Sequence, residues 1–277
     1  CSTLRRAIDS VLNQTLHANE IIVVDNGSTD GTEQLILNEY PQVRFLKEFK
    51  IGVSAARNTG IKAAIGEWVG FLDSDDEWLN KKLEVQLTKH LLSHANTKLI
   101  HTDEIWNKNG KRVNQMNKHK KFGGDIFSKC LKLCCVSPSS ALVRKNLFND
   151  VGFFDEDLPA CEDYDMWLRI TAKEEVLFIE EELIIKYGGH SDQLSKKFWG
   201  MDRFRILSLE KILKGGALNP IQRIEALDMV IKKSRILMEG GLKRGNSEII
   251  ALYSDKFDFW TRELSLVEPK SSFLIDV

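Results

Sequence analysis

Residues 71–78 are Phe71-Leu72-Asp73-Ser74-Asp75-Asp76-Glu77-Trp78, and they decide the fold class. The apolar run that ends at Leu72 is short and bounded by polar residues, which predicts a buried strand. In open α/β sheets, ligands bind beyond the carboxyl ends of the strands. Carboxylates gathered there repel one another unless a proton or a cation relieves them, and a divalent ion that also binds phosphate would do so. Alternatively, Asp73 to Glu77 cap a helix that starts near Asn80.

The composition is that of an ordinary globular protein. The chain has 277 residues, of which 43% are hydrophobic and 29% are charged. Its formal net charge of −1 gives no general attraction to nucleic acid, so we expect no nucleic-acid partner. No apolar run approaches the roughly 20 residues that a membrane-spanning helix needs.

Five scattered cysteines, with no Cys-x-x-Cys pair, predict reduced thiols and a cytoplasmic location. Cys130, Cys134 and Cys135 are close enough in the sequence to be considered as zinc ligands. Core thiols on or near one helix are the favoured interpretation.

Strands and helices alternate along the first part of the chain. Residues 21–24 are β-branched, and residues 21–25 predict a strand. Residues 32–39 predict a helix, and residues 52–65 predict a helix rich in small side chains. This alternation predicts an α/β domain over 1–198 with a mostly parallel sheet and helices on both faces. The mixed pattern of the second half indicates an antiparallel addition at the sheet edge.

Residues 199–277 have helical periodicity and are expected to form a separate extension. The pattern predicts three helices, broken at Gly215-Gly216 and at Gly240-Gly241. A basic cluster could contact an anionic membrane surface from the cytoplasm, although a solvated helix face is favoured. That cluster consists of Lys232, Lys233, Arg235, Lys243 and Arg244.

Several motifs follow one another in the first 170 residues. They are Ala7-Ile8-Asp9-Ser10-Val11-Leu12-Asn13-Gln14-Thr15, Glu20-Ile21-Ile22-Val23-Val24-Asp25-Asn26-Gly27-Ser28-Thr29-Asp30-Gly31-Thr32, Gly52-Val53-Ser54-Ala55-Ala56-Arg57-Asn58-Thr59-Gly60, Phe71-Leu72-Asp73-Ser74-Asp75-Asp76, Gly152-Phe153-Phe154-Asp155-Glu156, and Cys161-Glu162-Asp163-Tyr164-Asp165-Met166-Trp167-Leu168-Arg169. With this order and spacing the chain resembles the family 2 glycosyltransferases, inverting enzymes of the GT-A fold that use nucleotide-sugars. The resemblance extends from residue 1 to about residue 195.

One feature departs from the family pattern. The family opens with a central strand and a Pro-x-Tyr-Asn-like loop that helps to hold the nucleotide, and this chain begins just after that loop. We therefore expect the first strand to be missing through truncation rather than through natural absence.

The resemblance assigns the donor side of the site. It implies that Asp25 and Asn26 bind the nucleotide, although Asp25 is also typical of a turn that stabilises Asn26-Gly27. It implies that Arg57 binds diphosphate or ribose, with an ion pair to Asp73 as the alternative. It also implies that Asp73 meets the ribose.

The resemblance likewise assigns a metal ion, Mn²⁺ or Mg²⁺, to Asp75, with His190 as a further ligand of the metal or diphosphate. Asp76 is expected to cap the following helix.

On the acceptor side, the resemblance implies that Asp163 is the catalytic base, with a helix N-cap as the alternative role. We prefer Asp163 over Glu162 on the match to the motif. Glu162 and Ser139 are possible acceptor contacts. Trp78 is favoured as a packing residue, with stacking on an acceptor sugar as the alternative.

The predicted function is transfer of a sugar, with inversion, from a nucleoside diphosphate to a hydroxyl of a saccharide or lipid-linked acceptor. A UDP-linked donor is favoured. The C-terminal helices would shape the acceptor side or a homodimer contact. The alternatives are a sugar-phosphate nucleotidyltransferase and a non-catalytic protein that binds nucleotide-sugars.

Overall fold

The computed structural model describes residues 2–93, 96–189 and 197–267. Its α-helices are α1 (Ser2–Leu12), α2 (Thr32–Glu39), α3 (Val53–Ala63), α4 (Lys82–Leu92), α5 (Phe127–Cys130), α6 (Leu147–Val151), α7 (Glu162–Thr171), α8 (Asp202–Lys214), α9 (Pro220–Arg244) and α10 (Ser247–Val267). Its strands are β1 (Ile22–Asp25), β2 (Arg44–Lys47), β3 (Trp68–Gly70), β4 (Glu77–Trp78), β5 (Leu99–Lys108), β6 (Lys111–Val113), β7 (Leu142–Arg144) and β8 (Val176–Gly188).

The strands form two sheets. β1 and β2 make a parallel pair, and a six-stranded sheet has the order β3-β7-β5-β8-β4, with β6 paired to β5. Helices and strands alternate as predicted, but the expectation of a mostly parallel sheet is corrected. Among the described strands, β5 and β8 pair in parallel, whereas the other pairings of the larger sheet are antiparallel.

For β5 and β6 the physical reason is that their connection is too short for a parallel crossover. β5 turns into β6 through Asn109 and Gly110, which both have positive φ, at 52° and 78°. Two residues of this conformation make a tight hairpin turn, and a hairpin makes its strands antiparallel.

The two sheets each keep an edge without a described strand partner. Within the described residues, β1 pairs with β2 alone and β3 pairs with β7 alone. The sequence-based expectation of a further strand in the middle of the sheet remains a prediction.

Two apolar clusters among the described residues pack parts of the first unit together. One is centred on Ile100, Leu142 and Ile184 of the larger sheet and includes Trp78. The other joins Ile8 of α1 to α2 and to the start of β2. Apolar residues on one face of α1 thus reach both clusters, because Val11 belongs to the first and Ile8 to the second.

The chain divides into two compact units, residues 1–199 and 200–277. The described part of the second unit contains α8, α9 and α10. Asn219 and Gln222 form a capping box at the start of α9, and Gly245 ends that helix in the left-handed conformation. Glu210 of α8 accepts hydrogen bonds from Lys256 and Trp260 of α10.

The predicted helix break at Gly215-Gly216 is confirmed, and the break at Gly240-Gly241 is wrong. Helix α9 continues through both glycines to Arg244. A Cβ atom at position 241 would lie 3.0 Å from Ile249 Cγ2 and 3.1 Å from Ile250 Cγ1. The absence of a side chain at Gly241 therefore allows α9 and α10 to pack closely. The tendency of glycine to interrupt helices does not predict such a tertiary role.

The predicted basic cluster is not a single surface. Lys233 is buried and its ammonium donates to Asp202 at 2.8 Å. Arg235 lies over the ring of Phe257. None of the described helices is both long enough and apolar enough to cross a bilayer.

Candidate functional site

Arg57 joins three of the sequence motifs. From helix α3, its Nη1 donates to Glu162 Oε1 at 2.7 Å and its Nη2 donates to Asp73 Oδ1 at 2.8 Å. The predicted ion pair between Arg57 and Asp73 is therefore present. The side chain of Arg57 is 11% exposed and that of Asp73 is 35% exposed, so the pair lies at the wall of the site.

The charged groups around Arg57 shift one another's pKa values. Burial disfavours its charge, but Asp73 and Glu162 outweigh burial and raise the pKa of the guanidinium. Burial acts against ionised Asp73 as well, yet Arg57 lowers the pKa of that carboxyl. Burial and the neighbouring Asp163 raise the pKa of Glu162 despite Arg57. Arg57 therefore holds two acidic groups that would otherwise repel each other.

The buried side chain of Asp76 fixes the acidic stretch to the interior of the protein. It is 2% exposed, its Oδ2 accepts from the hydroxyl of Ser139 at 2.6 Å, and its Oδ1 accepts from the backbone N–H of Tyr187 at 3.2 Å. The same Ser139 oxygen accepts from the N–H of Asp73 at 3.2 Å. Burial raises the pKa of Asp76 to about 7, against the opposing charge of Lys186.

The predicted capping role of Asp76 is thus wrong. Helix α4 begins at Lys82, its preceding residue Lys81 makes no side-chain cap, and Asp76 points into the protein. The short strand β4 separates Asp76 from the helix. The acidic stretch crosses from one strand to another instead of running directly into a helix.

The acceptor contact proposed for Ser139 is wrong, whereas the favoured packing role of Trp78 is confirmed. Ser139 is 0% exposed, and its hydroxyl bonds Asp76 and Asp73. Trp78 is 6% exposed, packs in the apolar cluster, and donates its indole N–H to the carbonyl of Ser139 at 2.8 Å. Both side chains are sealed from a substrate, and they support the acidic stretch from inside. Glu162 is also buried, against Arg57.

A buried polar network that the sequence analysis missed lies beside Asp76. The charges of Glu104, Asp76 and Asp73 outweigh burial and raise the pKa of Lys186. Glu104 pairs with Lys121 at 3.3 Å, and the Lys121 and Lys186 ammoniums both reach Ser137. Burial acts against ionised Glu104, but the lysines lower the pKa of its carboxyl to about 2. The available sequence signal was Lys186 itself, a lysine within the largely apolar stretch 183–187 that forms part of β8.

Asp163 lies in the first turn of α7, half-buried and next to Glu162. Its Oδ1 accepts from the N–H of Tyr164 at 2.7 Å, and its Oδ2 accepts from the thiol of Cys134 at 3.1 Å. The residue before the helix, Cys161, has a left-handed backbone with φ of 63°. Such a conformation is costly for a residue other than glycine and is often retained at functional sites.

Asp25 ends β1 beside an open cavity of about 450 Å³, and Asn26 follows it. Asp25 Oδ1 accepts from the N–H of Ser28 at 3.1 Å, as the turn interpretation predicts. The amide of Asn26 donates to the carbonyls of Glu48 and Lys50 and accepts from the N–H of Gly52. Asn26 therefore braces the loop that leads into α3. The cavity is lined by Asp25, Thr32, Lys47, Phe49 and Ile51, among others.

The predicted metal ligands are only partly described. Asp75 is half-buried, and its backbone carbonyl accepts from Arg6 at 2.5 Å. His190 lies outside the described residues. Within the described part of the chain, no group of three or more histidine, cysteine or acidic side chains is arranged to hold a metal ion. The oxygen donors at Asp75 are nonetheless the type that Mg²⁺ and Mn²⁺ prefer.

Residues 1–152 match the model of glycosyl transferase family 2. The chain belongs to this family. It is 30% identical to WfgD of Escherichia coli in an alignment that covers 80% of this chain and 84% of WfgD. WfgD is named as a UDP-Glc:α-D-GlcNAc-diphosphoundecaprenol β-1,3-glucosyltransferase.

The chain spans only part of the length of several relatives that it matches. An uncharacterized glycosyltransferase of Rickettsia felis is 33% identical over 64% of this chain, which covers 29% of that relative's length. The fold resembles that of S. aureus TarS residues 1–349, crystallised in complex with UDP, with a TM-score of 0.58 at 17% identity. That match covers 95% of this chain and 87% of the TarS chain. It confirms the GT-A type of fold.

Proposed function

We propose that this family member is an inverting glycosyltransferase that moves a sugar from a UDP-linked donor to a hydroxyl of a saccharide or lipid-linked acceptor. The observation that carries the proposal is the convergence on Arg57, which links Asp73 and Glu162 at hydrogen-bond distance. A guanidinium held at the wall of a crevice suits a diphosphate.

The donor would lie between the cavity at Asp25 and the acidic stretch. A carboxylate at the cavity wall can accept from the N–H and O–H groups of a nucleoside. The exposed side chains of Phe49 and Ile51 offer an apolar wall nearby. Binding of UDP by TarS, and the UDP-glucose donor in the name of WfgD, support UDP as the nucleotide.

Asp75 would hold Mg²⁺ or Mn²⁺, with diphosphate oxygens completing the ligand set and His190 as a further ligand. Such an ion stabilises the charge of the departing nucleoside diphosphate. Asp73 is less suited to this task, because Arg57 already binds its carboxylate. Arg57 itself would meet the diphosphate and, through its bond to Asp73, hold that carboxylate toward the ribose.

Asp163 would act on the acceptor. As a half-buried carboxylate, it can take the proton from an acceptor hydroxyl while that oxygen attacks the anomeric carbon. Attack opposite the leaving group in a single displacement inverts that carbon. The acceptor of WfgD, a lipid diphosphate sugar by its name, makes a lipid-linked saccharide a good first candidate. Contact with the membrane surface and a homodimer remain predictions.

The test is calorimetric titration of UDP and GDP with and without Mn²⁺, followed by transfer assays with UDP-glucose and UDP-N-acetylglucosamine. We expect metal-dependent binding of UDP that is tighter than that of GDP and is lost in Asp75→Ala. The matched control Asp228→Ala, at an exposed position of α9, should bind as the wild type does. A well-folded chain that binds neither nucleotide would refute the donor site, and binding without transfer would favour a non-catalytic protein.

A further inference from the structure

We propose that Cys134 is a positioning residue for Asp163, holding its carboxylate in the orientation in which it meets the acceptor hydroxyl. The inference rests on the proposed function, in which Asp163 is the base. Its observation is the distance of 3.1 Å between Cys134 Sγ and Asp163 Oδ2.

The chemistry of the two groups sets the direction of the hydrogen bond. An ionised carboxylate can only accept, so the thiol is the donor. Burial and the charge of Asp163 raise the pKa of Cys134 well above its usual value, which keeps the thiol protonated. The carbonyl of Val136 also lies 3.1 Å from Sγ. A charged acceptor binds more strongly than a neutral carbonyl, so Asp163 is the preferred partner.

Together two donors fix both oxygens of the carboxylate. The N–H of Tyr164 binds Oδ1 and the Cys134 thiol binds Oδ2. Each carboxylate oxygen can accept more than one hydrogen bond, so room for the acceptor hydroxyl remains. Rotation of the carboxylate would break one of the two bonds. The thiol thus limits the orientations that the base can adopt, which favours the reactive geometry.

The segment that carries Cys134 is itself fixed to α7. The hydroxyl of Tyr164 donates to the carbonyl of Leu131 at 2.7 Å, so two neighbouring residues of α7 bind the same coil. The adjacent Cys135 is different, because its thiol contacts the carbonyl of Leu133 and Cys130. Cys135 is therefore a matched control, with the same side chain one residue away and no described bond to Asp163.

The kinetic test compares Cys134→Ala, Cys134→Ser and Cys135→Ala in the full chain. Loss of one modest hydrogen bond should lower kcat about threefold to tenfold in Cys134→Ala. UDP affinity and the unfolding temperature should stay near those of the wild type, because the Arg57 contacts remain. Cys134→Ser keeps a donor and should recover most of the activity, and Cys135→Ala should match the wild type. Unchanged kcat in Cys134→Ala would overturn the inference.

A spectroscopic test does not depend on turnover. The difference in infrared absorption between the wild type and Cys134→Ala isolates the S–H stretch of Cys134. The neutral variant Asp163→Asn should shift this band to higher frequency, and Cys135→Ala should leave it in place. A band that Asp163→Asn does not move would refute the contact. If Asp163→Asn shifts the band but the wild type transfers no sugar, the contact is real and the proposed function is refuted. Cys134 would then have no base to position.

Discussion

At the scale of single residues, Arg57 shows why charge alone does not define the site. One planar guanidinium binds Glu162 through one nitrogen and Asp73 through the other. A lysine has the same charge but cannot bind both carboxylates in this fixed geometry.

Arg57→Lys should therefore lower the affinity for UDP at least about tenfold and the free energy of unfolding by about 1–3 kcal/mol, because one buried carboxylate loses its partner. Calorimetry and urea denaturation measure the two effects. Arg112→Lys is the control, since the Arg112–Glu182 pair is exposed and should contribute less than about 1 kcal/mol. Equal losses of UDP affinity and unfolding free energy in both variants would contradict the role of the Arg57 guanidinium in binding both carboxylates.

Ser139 gives a second prediction at this scale. Ser139→Ala removes the hydroxyl that joins Asp76 to the N–H of Asp73, and both groups are left without that partner. We expect a loss of about 1–3 kcal/mol in unfolding free energy and weaker binding of UDP and Mn²⁺. Ser140→Ala removes an equally buried hydroxyl, which among the described residues donates to the carbonyl of Ser137 and has no bond to the acidic stretch. It should leave nucleotide binding unchanged, and if it weakens binding as much, the link to the acidic stretch is refuted.

How much of the site can be predicted from the sequence depends on how far apart the interacting residues lie along the chain. Arg57, Asp73 and Asp163 lie in motifs, so the sequence alone indicates their chemistry through residue type and spacing. Lys186, Glu104 and Cys134 act through tertiary contacts, and no local pattern connects Cys134 with a carboxylate 29 positions away. The burial of Ser139 was equally invisible in the sequence, which is why Ser139 was assigned to the substrate side.

At the scale of secondary-structure elements, local patterns predict the early units well. The helix at 32–39 is found at the predicted residues, and β1 and α3 differ from prediction by few residues. The β5–β6 hairpin was missed although Asn109-Gly110 is a strong turn signal, because the flanking strand residues are polar and charged. The bulge between Thr102 and Glu104 and the length of β8 are properties of the paired strands, not of either sequence alone.

The two adjacent glycines of α9 provide a prediction for an element. In Gly241→Ala the new methyl would meet Ile249 and Ile250 at 3.0–3.1 Å, and the backbone nitrogen of Ile250 at 3.3 Å. In Gly240→Ala it would meet only the end of the flexible Arg244 side chain. Hydrogen exchange of α9 and α10 should show a loss of about 1–3 kcal/mol for Gly241→Ala.

Gly240→Ala should be neutral or stabilise the helix by up to about 1 kcal/mol, since alanine favours helix without a clash. Similar effects of the two substitutions would contradict the close approach of α9 and α10.

At the scale of the whole molecule, the central pair β5 and β8 carries ionisable groups where an α/β core is normally apolar. His101 and Glu104 lie on β5 and Lys186 on β8, and all three contribute to or border the network beneath the acidic stretch. Glu104 and Lys186 are charged and compensate each other. His101 is different, because it is fully buried, donates Nε2–H to the carbonyl of Phe122 at 2.8 Å, and stays neutral.

His101 should make the stability of the chain depend on pH. Burial, aided by Lys121, lowers its pKa from 6.5 to about 4 despite the Phe122 carbonyl. Between pH 6.5 and 4 the imidazole is protonated in the unfolded chain but not in the folded chain. The contribution of neutral His101 to the free energy of unfolding is therefore complete above pH 6.5 and is lost as the pH falls toward 4. The loss should total about 3 kcal/mol at most. Asp76, whose pKa is raised to about 7, has the opposite effect over much of this range in both proteins. Urea denaturation should therefore show the stability of His101→Gln, whose amide can still donate to Phe122, rising relative to that of the wild type as the pH falls. Parallel curves for the wild type and the variant would mean that His101 does not limit the acid stability of the fold.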